Sequence, residues 1–92
     1  MDQAINSARS YISSSSFSKR SLIEQLSHDG FLGHEAAAAA DSVDADWNRQ
    51  AARSAADYLA TTSFSKQGLF KQLEHEGFTR DQIDFALSEI GY

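Results

Sequence analysis

The sequence has 92 residues and contains neither cysteine nor proline. Without cysteine, the chain can form neither a disulfide framework nor a thiolate metal site. No apolar run is long enough to cross a lipid bilayer, and the first eight residues lack the basic and apolar regions of a signal peptide. We therefore expect the chain itself to be soluble.

Positive charge is missing from a long central stretch. No Lys or Arg occurs between Ser21 and Asn48, and the net charge of the whole chain is -5. A continuous negative field can attract a basic partner and speed its encounter, although acids also keep alanine-rich helices solvated. We predict an acidic, partner-binding face, with a merely solvated surface as the alternative. Its residues are Glu24, Asp29, Glu35, Asp41, Asp44 and Asp46.

An internal repeat organises the sequence. Residues 17–31 return 47 positions later as 64–78, and pairing residues 1–45 with 48–92 gives 16 identities without a gap. A repeat of this length is typical of one supersecondary unit. We predict two copies, 1–46 and 47–92. One copy is too short to fold robustly alone, so we expect the copies to support each other through the single tryptophan, Trp47.

Capping residues mark the helices of each copy. A serine stands where the second helix begins, and the preceding phenylalanine can pack on the leucine four residues beyond that cap. A glycine supplies the left-handed ending of the same helix, and the next phenylalanine can close it. The residues assigned to caps and core are Phe17, Ser18, Gly30, Phe31, Trp47, Phe64, Ser65, Gly77 and Phe78.

The third helix is marked differently in the two copies. Thr79 and Gln82 predict a capping box in the second copy, whereas Leu32 occupies the cap position in the first. No Gly or Pro interrupts the alanine-rich sequence between His34 and Gln67, which predicts one bridging helix over about 34–62. The alternative is a break at 44–46. The predicted fold is all-α, with two tandem three-helix, helix-turn-helix-like repeats sharing this long central helix.

Other candidate sites are weaker. Ser13–Ser16 with His28 could suggest a hydroxyl nucleophile, but the second copy has Ala-Thr-Thr-Ser there, which is typical of a polar turn. We predict that the protein is not an enzyme. Three scattered histidines do not make a metal site, and no cofactor is expected. Phe85 and Tyr92, on the outer side of the last helix, either contact a partner or pack against the neighbouring chain.

Nucleic-acid binding is an alternative that the charge disfavours. Paired helices with a tight glycine turn occur in DNA-binding proteins, but phosphate contacts require Lys and Arg. The helix after the first turn begins with Glu35 and five alanines, which cannot hydrogen-bond to base edges. We therefore expect no nucleic-acid partner.

The doubled motif resembles a known family. Each copy carries Phe-Ser, then Leu, Gln-Leu and Gly-Phe, over 17–31 and 64–78, with Asp46-Trp47 between them. This pattern resembles the Ltp family of host-cell-surface-exposed lipoproteins over nearly the whole chain. The resemblance implies helix-turn-helix-like repeats on the outer face of a Gram-positive cytoplasmic membrane. It also implies superinfection exclusion as in temperate streptococcal phages, in which DNA injection is blocked and the target is the phage tape-measure protein.

The chain departs from that family at its anchor. The lipobox cysteine and signal peptide are missing, so we expect this to be the exposed domain of a longer, lipid-anchored protein, with no other contact to the membrane. The resemblance transfers no catalytic residue, because the matching positions are caps and core. The alternatives are a passive helical spacer or a general protein-binding module of a bacterial surface protein.

Overall fold

The computed structural model describes residues 2–92, and this part of the chain is all-helical, with six helices and no strand. The molecule is elongated, with principal extents of 40, 21 and 20 Å. The first three helices are termed the first half and the last three the second half. The helices are α1 Asp2–Ser14, α2 Lys19–His28, α3 Gly33–Ser42, α4 Trp47–Thr61, α5 Lys66–Glu76 and α6 Arg80–Glu89.

Hydroxyl side chains fix the start of three helices. At α2, Ser18 Oγ accepts a hydrogen bond from the Ser21 N–H at 3.0 Å, and Ser21 Oγ accepts one from the Ser18 N–H at 2.9 Å. At α5, Ser65 Oγ accepts from the Gly68 N–H at 2.9 Å. Thr79 caps α6 in the same way. Because the first N–H groups of a helix have no intrahelical acceptor, these hydroxyls stabilise the helix starts.

Two glycines in the left-handed region follow α2 and α5. The angle φ is 105° at Gly30 and 107° at Gly77, values that side chains with a Cβ rarely adopt. The N–H of the next residue, Phe31 or Phe78, then donates to the carbonyl five residues earlier, at 3.1 and 3.2 Å. This hydrogen bond is the mark of a Schellman ending, and it satisfies a carbonyl that the helix leaves free.

The predicted continuous helix over 34–62 is wrong. The chain breaks between α3 and α4 at a link of residues 43–46, which was the alternative. Asp44 is left-handed, with φ of 53°, and a right-handed helix cannot contain that conformation. Asp46 Oδ1 accepts a hydrogen bond from the Arg49 N–H at 3.1 Å and so caps α4. A short acidic side chain that bonds to nearby backbone competes with a continuous helix. Here the Asp46 cap and the left-handed Asp44 outweigh the helix propensity of the alanines.

Each half has its own buried cluster, centred on a leucine pair from its middle helix. Leu22 and Leu26 of α2 pack among alanines of α1 and α3, and Leu69 and Leu73 of α5 pack among residues of α4 and α6. Alanine at these contacts lets the helices approach closely, so a small core is still densely packed. The other buried apolar residues are Ala4, Ala8, Ala36, Ala39 and Ala40 in the first half, and Ala51, Ala55, Phe78, Ile83, Ala86 and Leu87 in the second. The partly buried residues packed on these clusters include Phe17, Phe31, Trp47 and Phe64.

Hydrogen bonds connect the α1–α2 turn and the start of α2 to the second half, and we term this set the joint. Ser18 Oγ, which is fully buried, donates to the Glu76 carbonyl at 2.7 Å. Arg20 Nη2 donates to the His75 carbonyl at 2.6 Å. Both carbonyls lie at the end of α5, where no intrahelical donor reaches them. The remaining bonds are Ser16 Oγ with Ser54 Oγ (2.7 Å), the Phe17 N–H to Gln50 Oε1 (2.9 Å) and Arg53 Nη1 to the Ile12 carbonyl (3.1 Å).

The two phenylalanines that follow the helix-ending glycines provide a matched test of the core. Phe78 is 3% exposed within the second cluster, whereas Phe31 is only partly buried against the first. We expect Phe78→Ala to lower the free energy of unfolding by about 3 kcal/mol or more, because it leaves a cavity. Phe31→Ala should cost less. Urea denaturation of both variants measures the difference, and equal losses would contradict the assigned burial.

The break at Asp44 can be tested through its backbone conformation. The repeat places Asp44 opposite Gly91, which is also left-handed, with φ of 81°. We expect Asp44→Gly to raise the free energy of unfolding by about 0.5–1 kcal/mol and Asp44→Val to lower it by about 1 kcal/mol or more. Thermal melts of the two variants check this. If both variants melt with the parent, the residue is not held in the left-handed region.

Candidate functional site

The six acids predicted as a partner-binding face all lie in the first half or in the link. Five of them are exposed, and Glu35 is partly buried. Glu35 and Asp41 are six positions apart on α3, which places them about 120° apart around the helix axis. The acids therefore do not share one flat face. Their densest group lies at the end of α3 and in the link, and we term it the link cluster: Asp41, Asp44 and Asp46.

Three of the six carboxylates already stabilise the fold. Asp46 caps α4, as described above. Glu35 Oε1 accepts a hydrogen bond from the Leu32 N–H at 3.0 Å, which completes the start of α3 in place of a hydroxyl cap. Asp29 accepts hydrogen bonds from Tyr11 Oη and, at 3.1 Å, from Gln25 Nε2. Glu35 and Asp46 are thus fixed in orientation by the helix starts that they cap, and Asp29 by the side chains of Tyr11 and Gln25.

One basic residue from outside the stretch 21–48, which has no Lys or Arg, forms an ion pair with the link cluster. Lys19 Nζ forms an ion pair with Asp41, and the two side chains are 45% and 64% exposed. An ion pair this exposed contributes little to stability, so a base from a partner could replace Lys19 at small cost. Within residues 2–92, no Lys or Arg side chain forms an ion pair with Asp44 or Asp46. The link cluster therefore keeps a net negative charge.

Leu32 is an exposed residue for which the sequence predicted no site role. Its side chain is 60% exposed in the turn between α2 and α3, and Asp29 and Glu35 lie three positions before and after it in sequence. The repeat could have indicated this exposed leucine, because Thr79 occupies the matching position in the second half and caps α6. A leucine that neither caps a helix nor enters the core is free to contact another molecule.

Phe85 and Tyr92 have different neighbours. The Arg49 guanidinium lies 5.8 Å from the centre of the Phe85 ring and also pairs with Glu89 at 3.1 Å. Tyr92 is 41% exposed, and its hydroxyl donates to the Phe64 carbonyl at 3.0 Å. A cation over an aromatic face is an attractive contact, and it covers part of the ring. The aromatic ring pairs in contact over residues 2–92 are Tyr11 with Phe17 and Tyr58 with Phe64, so Phe85 and Tyr92 do not stack on each other.

A depression lies beside the joint, between the two halves. Its volume is about 320 Å³. Ser16 and Ser54 line it and share the hydrogen bond of the joint, with no histidine beside them to act as a base. Tyr58 Oη donates to the Glu76 carboxylate and accepts from Gln72 Nε2 at 3.2 Å. Burial, and then the hydrogen bond to Glu76, raises the pKa of Tyr58.

A second, more apolar depression lies between α5 and α6. Its volume is about 440 Å³, and Phe70 and Leu87 line it together with two bases, Lys66 and Arg80, and one acid, Asp84, which leaves a net positive charge. The charge beside this depression is thus opposite in sign to that of the link cluster. Among the residues that the structure describes, no group of three or more His, Asp or Glu side chains is arranged to hold a metal ion.

The fold and these surfaces define a small all-α protein whose most charged surface is acidic. The chain belongs to the Ltp lipoprotein family, described as host cell surface-exposed lipoprotein, because the family's model matches residues 1–43 and 46–90. Ltp is not a family of enzymes. No curated protein and no solved structure was found to match the chain. Over residues 2–92, none of the helices combines the length and the apolar character needed to cross a membrane.

The raised pKa of Tyr58 predicts a loss of stability in alkali. Its folded-state pKa lies above the ordinary value of 10.0, so its contribution is fully present below pH 10.0 and is lost as pH rises through the folded-state pKa. We expect the free energy of unfolding to fall more steeply between pH 9 and 11 in the parent than in Tyr58→Phe. Urea denaturation across that range measures the two slopes. Parallel slopes would mean that Tyr58 ionises as it does in the unfolded chain.

Proposed function

We propose that this protein gives superinfection exclusion by binding a basic phage tail protein at the acidic first half, which blocks DNA injection. The proposed partner is the tape-measure protein, which passes the host envelope during injection. In this proposal each half is one Ltp-type repeat, and a lipid anchor holds the full-length protein on the outer face of a Gram-positive cytoplasmic membrane. The family match supports the surface location, and the charge distribution supports the partner's chemistry.

The observation that carries the proposal is the imbalance of charge between the halves. Residues 1–46 contain seven acids and three bases, whereas residues 47–92 contain six acids and five bases. Two of the three bases in the first half are already engaged, because Arg20 bonds to the end of α5 and Lys19 pairs with Asp41. The first half therefore presents a surface that attracts cations and repels nucleic acid.

Binding would proceed from long-range attraction to local contacts. The negative field raises the rate at which a basic chain meets the surface. A Lys or Arg of the partner can then take the place of Lys19 on Asp41, and Leu32 offers an exposed apolar contact near Asp29 and Glu35. The protein needs no catalytic group for this role, because retaining the tail protein at the envelope is enough to stop DNA entry.

Three Asp→Asn substitutions in the link cluster test the acidic surface: Asp41→Asn, Asp44→Asn and Asp46→Asn. Asparagine still caps α4 and tolerates the left-handed region, so we expect the fold to be kept. With purified tape-measure fragments, the association rate constant at low salt should fall by about tenfold, and its dependence on salt should flatten. Stopped-flow kinetics across salt concentrations measure both.

The second half offers a matched control with three exposed aspartates. Asp57→Asn, Asp81→Asn and Asp84→Asn change the net charge equally and should leave the association rate nearly unchanged. Cells carrying an anchored form of each variant can then be challenged with phage. If the link-cluster variant binds and protects as the parent does at every salt concentration, the acids only solvate the surface. If DNA binds in a salt-dependent gel shift and the tail protein does not, the protein is a nucleic-acid binder. Failure of both arms would leave a passive spacer.

A further inference from the structure

The joint uses two different surfaces, one on each half. The α1–α2 turn with the start of α2 donates three of the bonds, and we term it the donating surface; one side of α4 with the end of α5 accepts them and is the accepting surface. Arg53 of α4 donates in the opposite direction, to the Ile12 carbonyl, and either hydroxyl can donate in the Ser16–Ser54 pair. The contact is therefore heterologous, since each half contributes a different surface. Because the sequence is a repeat, each half also contains the counterpart of the surface that the other half uses.

The repeat spacing of 47 residues identifies these counterparts. On the accepting side, the first half retains the same residue at three hydrogen-bonding positions of the joint and at the glycine that adjoins Ser18 and Arg20, and on the donating side the second half retains three. The accepting pairs are Gln50/Gln3, Ser54/Ser7, His75/His28 and Gly77/Gly30, and the donating pairs are Ser16/Ser63, Phe17/Phe64 and Ser18/Ser65. Two side-chain donors differ, namely Arg53/Asn6 and Arg20/Gln67. Glu76/Asp29 and Ile12/Leu59 differ too, but these residues enter the joint through their backbone carbonyls.

The counterpart surfaces are open at the two ends of the molecule. Ser18 is fully buried in the joint, whereas Ser65 is exposed. A Cβ added at Gly77 would lie 2.7 Å from Arg20 Nε, but one added at Gly30 would meet nothing within 4 Å. The N–H of Phe64 has no hydrogen-bond partner in the described part of the chain, although the matching N–H in the joint has one.

The core does not account for all of these retained residues. Gly30 is needed for its left-handed conformation, and Ser65 caps a helix. Gln3, however, is exposed, and its side chain makes no hydrogen bond within residues 2–92. Its counterpart Gln50 accepts the hydrogen bond from the Phe17 N–H in the joint. Gln3 is thus placed to accept a hydrogen bond that no residue in the described part of its own chain supplies.

We propose that the two open ends bind each other between copies of this chain, head to tail, with the geometry of the joint. The donating end of one copy, at residues 63–67, would contact the accepting end of the next, at Gln3, Ser7 and the carbonyls of His28 and Asp29. A heterologous contact of this kind need not close on itself, so it extends into a row of copies. The contact between copies is weaker than the joint, since it lacks both arginines and is not intramolecular.

The two side-chain donors that differ make the contact adjustable. Asn6→Arg restores the counterpart of Arg53, and Gln67→Arg restores the counterpart of Arg20, each as a charged donor to a backbone carbonyl. A variant with both changes should associate about tenfold or more tightly than the parent, because charged hydrogen bonds are the strong ones. Sedimentation equilibrium over a concentration series measures the dissociation constant, with mass increasing beyond the dimer. The control, Ser42→Arg with Ser88→Arg, adds the same charge at exposed positions outside these ends.

Mixing the two single variants tests the polarity of the contact. The Asn6→Arg chain has only an improved accepting end, and the Gln67→Arg chain has only an improved donating end. Their equimolar mixture should therefore form 1:1 dimers more tightly than either variant alone. Adding Ser63→Trp to the Gln67→Arg chain should abolish this gain, because the matching Ser16 Oγ lies 2.7 Å from Ser54 Oγ and leaves no room for an indole.

Thermal melts by circular dichroism establish that every variant is folded before its mass is measured. If the double variant sediments like its control at every concentration, the ends do not bind and the proposal is wrong. Association that survives Ser63→Trp would also overturn it, because the contact would then lie elsewhere. If one substitution prevents folding, the other single variant mixed with the parent still tests the same contact. Tighter association than that of the parent alone would support the proposal, and unchanged association would overturn it.

Discussion

The buried hydroxyl of Ser18 is the atom on which the arrangement of the two halves depends. It accepts the Ser21 N–H at the start of α2 and donates to the Glu76 carbonyl at the end of α5. A buried polar group without a partner is costly. Because the Ser18 hydroxyl, which caps α2, is bonded to the Glu76 carbonyl, it also fixes where α5 must end. No side-chain nitrogen or oxygen buried in the described part of the chain lacks a hydrogen bond. Every polar side-chain atom buried between the two halves therefore has a hydrogen-bond partner. These bonds fix the relative orientation of the halves as well as joining them.

This dependence follows from how little large apolar surface each half contains. The first cluster holds only two fully buried leucines among five alanines, while the second adds Phe78, Ile83 and Leu87. About 45 residues bury too small a fraction of their surface to be robust alone. Trp47, the first residue of α4, packs on the first cluster and so adds apolar contact to the polar joint. The acidic surface is consequently displayed by a half that relies on its neighbour.

The sequence predicted those features that are local. Ser18, Ser65 and the left-handed glycines could be placed because capping involves residues three or four positions apart. The break at Asp44 was only the alternative to a long helix, although the repeat aligns Asp44 with Gly91 and thus favoured the break. The pairing of Lys19 with Asp41, and the donation from Ser18 to Glu76, could not be predicted, since they join residues distant in sequence. The acids of the candidate site were visible as composition, but their arrangement around α3 required the structure.

The two surfaces that form the joint differ in how many substitutions they can tolerate during evolution, because one contributes backbone atoms and the other contributes side chains. His75 and Glu76 take part through their backbone carbonyls, and every amino acid supplies the same carbonyl. Ser18 and Arg20 contribute through specific side chains, which few other residues can replace. Mutational drift at the end of α5 is therefore tolerated as long as the helix ends in the same place. A lineage could vary the side chains of His75 and Glu76 without altering the hydrogen bonds that their carbonyls accept, whereas the start of α2 has almost no such freedom.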